Sequence, residues 1–202
     1  MAVAADTRER ILEAACDLIA SDGIDDVRIA RVANRAGAST ALVHHYFSTR
    51  EELLEQAVIH SFDTLGDERF GEGPAIAAES ATEHLARAIR ECLPEPGRQQ
   101  RDWTLWVELW LRAVREPALR PVAARLYRRY RDWLAGLIRA GVESGEFRAV
   151  DPEEVADLGM ALLDGTGVRA LLDDPAMDLA MARSVVADGL AAELGLDPAK
   201  LR

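Results

Sequence analysis

Apolar residues recur every three or four positions almost from end to end of this chain, and no segment alternates apolar and polar residues between turn signals. That periodicity confines the fold to helices, and the breaks in it divide them. A first helix is expected over residues 7–20, with Ile11, Ala15, Leu18 and Ile19 on one face and Gly23 as a left-handed cap. A second covers 28–36, led by Asp25 and Asp26, whose charges suit a positive helix start. "AGAS" at 36–39 is a tight turn, and Ser39 caps a third helix at 40–46. Ser48 or Thr49 caps a fourth, reaching about residue 65, with Leu53, Leu54, Ala57 and Val58 inward. After a loop at 66–74, helices are expected over 75–92, 102–115, 118–143, 153–172 and 176–194. The reading is all-α, with nine helices.

Composition narrows the class. With 202 residues, 49% hydrophobic and 29% charged, the chain can bury a substantial core as one large or two small domains. No apolar run approaches the ~20 residues that span a bilayer. The N-terminus lacks the basic start and apolar centre of a signal peptide. Cys16 and Cys92 lie inside apolar helical patterns and read as buried free thiols of a cytoplasmic protein. The net charge of −11 is unevenly spread: residues 1–50 carry six arginines against seven acids, and nearly all the excess lies beyond them. A near-neutral head leaves room for a local cationic face.

That head has the pattern of a helix-turn-helix: two short helices joined by a glycine-containing turn, the second opened by a serine cap. Val32, Ala33 and Ala36 face inward from the first of the pair, and Val43 and Phe47 anchor the second. Thr40, Ala41, His44 and His45 are left outside. In such motifs the second helix enters the major groove and its early residues touch base edges. A metal site at His44 and His45 is not expected, because adjacent helical residues point ~100° apart.

Residues 10–58, "RILEAACDLIASDGIDDVRIARVANRAGASTALVHHYFSTREELLEQAV", resemble the TetR family of bacterial transcriptional regulators. The likeness runs through Gly23, Val32-Ala33, "AGAS", Tyr46-Phe47 and Arg50 ahead of Leu53-Leu54. It implies that Arg28, Ser39, Tyr46 and Arg50 bind phosphate oxygens of double-stranded DNA, and that Thr40, Ala41, His44 and His45 face the bases. Arginines, hydroxyls and helix starts commonly set register on the backbone, whereas base contacts specify sequence. Two departures stand out. Arg28 occupies a position where the family usually has threonine; it cannot cap the helix but can reach a phosphate. Ala41-Leu42-Val43-His44 stands where Gly-Thr-Leu-Tyr is frequent. Arg31 and Arg35 fit solvated charges as well as contacts.

All four tryptophans fall between positions 103 and 133. Trp103, Trp106 and Trp110 share one helical face, and Tyr127, Tyr130 and Trp133 follow at three-residue steps on the next long helix. Such stripes are ordinarily core. The alternative is a cavity wall, since bundle pockets are mostly apolar and aromatic faces attract organic cations. This region is similar to the BetI-type C-terminal domain of the same family, named after choline-responsive repressors. Candidate lining residues are Phe62, His84, Trp103, Trp106, Trp110, Tyr130, Trp133 and Met160, with Glu108 or Asp164 as an acidic partner. The last two helices carry Val155, Leu158, Gly159, Leu162, Leu163, Thr166, Met181, Val185 and Leu190. The resemblance implies that these pair with a second subunit; packing within one subunit is the alternative.

The expected organisation is a helix-turn-helix DNA-binding domain at 1–48 and a ligand-binding and dimerisation domain at 49–202, with the fourth helix as the lever between them. The expected function is that of a homodimeric repressor. It binds a pseudo-palindromic operator and is released by a small apolar, aromatic or organic-cation effector. No cofactor, metal or membrane partner is expected. Against a helical enzyme, the chain lacks a Gly-rich phosphate loop, a nucleophile elbow and an HExxH pair. A helical adaptor that does not bind DNA is the remaining alternative.

Overall fold

The computed structural model describes residues 2–70 and 80–202, with side chains for 6–61 and 80–202. Among the described residues there are nine α-helices, three short 3-10 turns and no strand. The helices are α1 (Ala2–Asp22), α2 (Ile29–Arg35), α3 (Thr40–Tyr46), α4 (Arg50–Phe70), α5 (Ala81–Glu91), α6 (Arg98–Arg115), α7 (Arg120–Glu143), α8 (Pro152–Leu171) and α9 (Leu179–Leu194). Residues 71–79, covering the last part of the expected loop and the expected start of a helix at 75, lie outside the described residues.

The boundaries that moved have local causes. Gly23 ends α1, its N–H donating to the Ile19 carbonyl at 3.0 Å. Its φ of 80 and ψ of 151 are not left-handed helical, however, and the chain passes directly into the 3-10 turn Ile24–Asp26. The fourth helix continues through Gly66 to Phe70, because one glycine inside a helix costs only about 1 kcal/mol relative to alanine. α6 opens at Arg98, directly after Gly97, whose φ is 104. α9 starts at Leu179, because the Asp178 carboxylate accepts from the Met181 N–H at 2.8 Å and caps it there.

The chain divides into two compact units, Met1–Glu68 with Arg101–Ala123, and Arg69–Gln100 with Ala124–Arg202. Residues 1–48 fall wholly in the first, and 49–202 are shared between the two. In the first unit α1 buries Ile11, Leu12, Ala15, Leu18 and Ile19, α2 buries Val32 and Ala33, and α4 buries Leu53, Leu54 and Ala57. The Cys16 thiol donates to the Ala57 carbonyl at 3.0 Å. Burial, then the nearby Glu13 carboxylate, pushes this thiol up to about 12, so it stays a protonated core group. Cys92 is likewise buried and free.

The second unit has its own core. Leu85 and Ile89 of α5, Leu134 and Ile138 of α7, Met160 and Leu163 of α8, and Val186, Leu190 and Leu194 of α9 are all nearly inaccessible. Two glycines permit close approach. A Cβ on Gly141 would lie 2.2 Å from the Phe147 ring, and one on Gly159 would lie 2.9 Å from Leu134. Two carboxylates close the start of α5. Glu83 forms a capping box with Ser80, and Glu146 accepts from the N–H groups of Ala81 and Thr82 at 2.9 and 3.0 Å.

Candidate nucleic-acid interface

The seven-residue α3 is fixed at both ends. The Ser39 hydroxyl accepts from the Leu42 N–H at 3.1 Å, satisfying one of the helix's orphan donors. Val43 and Phe47 are fully buried beneath it. The turn from α2 closes through hydrogen bonds from the N–H groups of Ala36 and Ala38 to Val32 and Ala33, with Gly37 between them at a φ of 64. A side chain at that left-handed position would be strained. Thr40, Ala41, His44 and His45 are exposed together, and Tyr46 is half-buried, its ring edge-on to His45 at 5.3 Å.

The arginines divide into those turned inward and those left outside. Arg28 is extended and does not cap α2; its Nη1 donates to the Asp25 carbonyl at 2.6 Å. Arg50 donates from Nε to the Val27 carbonyl at 2.8 Å and from Nη2 to the Ile24 and Asp25 carbonyls at 2.6 and 3.0 Å. It therefore clasps the 24–28 turn to the start of α4. No spacing rule points to a side chain reaching carbonyls 23 positions away, so this part was not found from sequence. Arg31 pairs with Asp22 at 2.6 Å and Arg35 with Asp17 at 2.9 Å, so both are ion-paired to α1 rather than freely solvated.

The aromatic candidates belong to different units. In the first unit Trp103 is buried on α6, and the Trp106 and Trp110 rings lie 5.4 Å apart at 59°. Glu108 on the same helix is held above the usual carboxylate range by burial and then by the Asp25 charge. In the second unit Tyr130 and Trp133 stack at 5.7 Å, nearly parallel. One turn earlier on α7, the Tyr127 hydroxyl donates to Asp164 at 2.9 Å. Burial raises the Asp164 carboxyl from 3.8 to about 6 against the pull of that hydrogen bond, so it is not a helix-surface charge. Met160, buried, precedes it by one turn of α8, and His84 is half-buried on α5. The side chain of Phe62 lies outside the described residues.

The expected subunit-contact residues separate into two sets. Val155, Gly159, Leu163, Thr166 and Leu190 are buried within the single chain, which leaves them almost no surface for a partner. For these positions the burial fits the alternative left open by the sequence, packing within one subunit. Leu158 and Met181 remain 37% and 50% exposed, with Leu162 and Val185 half-buried. Leu172, 73% exposed just beyond α8, joins them as a residue the periodicity did not single out. Among the described residues no cluster of metal-ligating side chains occurs, and no helix is long and apolar enough to cross a membrane.

Known proteins share both halves of this layout. Residues 11–57 match the family described as bacterial regulatory proteins, tetR family, and residues 81–195 match the C-terminal family of BetI-type transcriptional repressors. The HTH-type transcriptional regulator BetI of Klebsiella pneumoniae (strain 342) is 29% identical over 182 residues, covering 88% of this chain and 89% of that protein. A transcriptional regulator from Saccharomonospora viridis, solved in complex with choline, superposes with a TM-score of 0.80 at 31% identity, covering 91% of this chain and 95% of the other. A TetR-family regulator from Rhodococcus sp. superposes with a TM-score of 0.77 at 30% identity, over 94% and 99% of the two chains.

Proposed function

This chain belongs to the TetR family of bacterial regulatory proteins, with a C-terminal region of the BetI repressor type, and from that membership we propose how it works. Membership makes it a DNA-binding transcriptional regulator and not an enzyme. We assign it as a cytoplasmic homodimer that represses by binding a pseudo-palindromic operator.

The observation that carries this reading is the outward face of α3, where Thr40, Ala41, His44 and His45 stand exposed over the buried Val43 and Phe47. These four residues face base edges. Ser39 and Tyr46 bind phosphate, as do Arg28 and the outer Nη1 of Arg50, the nitrogen its carbonyl clasp does not use. The two reading helices of a dimer must stand ~34–36 Å apart, or a multiple of that, to enter successive major grooves. In a gel shift, the purified protein retards a duplex carrying the region upstream of its own coding sequence, and affinity falls steeply as salt rises. Wild-type binding by both His44→Ala and His45→Ala at every salt concentration would show that the reading face is misassigned.

For the effector we propose an organic cation. The Saccharomonospora viridis protein holds choline. In the second unit of this chain, Asp164 with Tyr127, and the stacked Tyr130 and Trp133, offer the carboxylate and aromatic faces that a quaternary ammonium requires. An effector releases DNA only if it prefers the state that fits the operator poorly. Choline added to the protein–DNA complex should free the duplex and change tryptophan fluorescence. No response up to ~10 mM choline would exclude this effector class.

A further inference from the structure

Four charged side chains join three helices of the first unit. Arg35, on α2 of the helix-turn-helix, donates through Nε and Nη2 to Oδ2 of Asp17 at 3.1 and 2.9 Å. Asp17 sits on α1, and its other oxygen, Oδ1, accepts from Nη1 of Arg101 at 2.8 Å. The same Nη1 donates to Oε2 of Glu13, one turn away on α1, at 3.0 Å. Arg101 lies on α6, 84 positions from Asp17 in sequence, inside the stretch that matches the C-terminal repressor family. On the far side of Glu13, Nε2 of His60 on α4 stands 3.5 Å from Oε1.

The Arg101 end of this chain of contacts is shielded, whereas the Arg35–Asp17 pair is half open to water. The hydrogen bond from His60, and then Arg101, hold the Glu13 carboxyl down to about 2 despite its partial burial. Burial works against the Arg101 charge, yet its hydrogen bonds to Asp17 and Glu13 hold its pKa above the ordinary arginine value. Its side chain is 21% exposed, so water competes weakly for these contacts. Asp17 uses both oxygens, one for each arginine. It therefore cannot shift toward one without loosening the other.

We propose that Asp17 and Arg101 are positioning residues for DNA binding: through the shared Asp17 carboxylate, α6 fixes α2, and with it the reading helix that α2 supports. Neither residue touches DNA in this arrangement. Arg35 serves as the head's end of the link and makes no phosphate contact. The proposal rests on the DNA-binding reading above, and its test separates the two.

The measurement is affinity for a duplex that the wild-type protein enriches from a random-sequence library. It is made at a temperature where circular dichroism shows every variant folded. Asp17→Asn and Arg101→Gln each weaken binding about tenfold. The double variant is no weaker than either single, because one broken link already uncouples the helices. The slope of affinity against salt stays at the wild-type value in all three and in Arg35→Gln, since no phosphate contact is lost. Arg101→Lys retains wild-type affinity, because one ammonium can hold both carboxylates as Nη1 does. Wild-type affinity in both single variants, with only the melting temperature lowered, overturns the proposal and leaves the residues with a structural role alone. Additive losses in the double variant also overturn it, as does a reduced salt slope in Arg35→Gln. If the wild-type protein enriches no duplex, the DNA-binding reading itself fails, and this inference with it.

Discussion

Arg50 and Val27, 23 positions apart, are joined by a 2.8 Å hydrogen bond from the arginine Nε to the valine carbonyl. Nη2 adds the carbonyls of Ile24 and Asp25. One side chain thus bonds three acceptors in the turn that leads into α2, a helix whose N-cap residue, Arg28, makes no side-chain capping bond. Removing it leaves the Ile24 carbonyl to water and the Asp25 and Val27 carbonyls with Arg28 alone, which loosens the turn from α4. Arg50→Ala should lower the free energy of unfolding by about 2 kcal/mol, and Arg50→Lys should recover less than half of that, because an ammonium cannot fork. Urea denaturation gives both numbers, and an alanine variant as stable as wild type would remove the clasp from the account.

Met181 and Leu158 test the proposed subunit contact, because they are exposed while their neighbours are packed inside the chain. In a two-fold interface each substitution is made twice. Met181→Asp and Leu158→Glu should each weaken dimerisation by more than about 3 kcal/mol, the cost of an unpaired buried charge. Sedimentation should then show monomers at micromolar concentration. Variants that sediment like wild type would place the contact elsewhere.

Asp164 gives the protein a pH-dependent stability of definite sign. Its folded pKa of about 6 exceeds its ordinary 3.8, so the fold favours the protonated acid. That contribution is complete below about pH 4 and is lost as pH rises through 6. Asparagine keeps an acceptor for Tyr127 and never ionises. Asp164→Asn should therefore match wild type near pH 4 and exceed it by about 1–2 kcal/mol at pH 7.5, less than the full shift would give because water reaches part of the group. Calorimetry across this range decides it; a difference independent of pH would rule out Asp164 as the source. The same variant should lose its response to choline.

Two glycines of α7 should respond oppositely to alanine. A Cβ at 141 would meet the Phe147 ring at 2.2 Å, whereas a Cβ at 136 meets nothing within 4 Å. Gly141→Ala should destabilise by about 3 kcal/mol through overpacking, and Gly136→Ala should stabilise by up to about 1 kcal/mol through helix propensity. Equal effects at the two positions would mean that the Phe147 contact does not govern packing there.

What was legible in the sequence was what local chemistry dictates. Ser39 and Phe47 bracket α3, so both its limits and its exposed face could be read from spacing. The start of α8 fell within one residue of the expected 153, whereas the Asp178 cap was overlooked and the start of α9 was placed three residues early, at 176. What escaped were contacts between residues remote in sequence. Arg50 carries no sign that it will fold back on the 24–28 turn, and nothing near Asp17 announces Arg101. Apolar periodicity also cannot say which side of a helix meets its own core and which a partner, which is why Leu190 and Met181 looked alike. For the same reason the sequence could not decide whether Asp164 is an acidic partner in a pocket or a helix-surface charge: burial is a property of the assembled unit.

The way α3 is held has a consequence for how such a regulator can diversify. Its attachment rests on Ser39, Val43 and Phe47, and Thr40, Ala41, His44 and His45 take no part in it. Support and the proposed readout are thus written in separate letters of the same short segment. On the proposed reading, the four outward positions form an interchangeable cartridge, and drift there can retarget the protein to new operators without passing through unfolded intermediates.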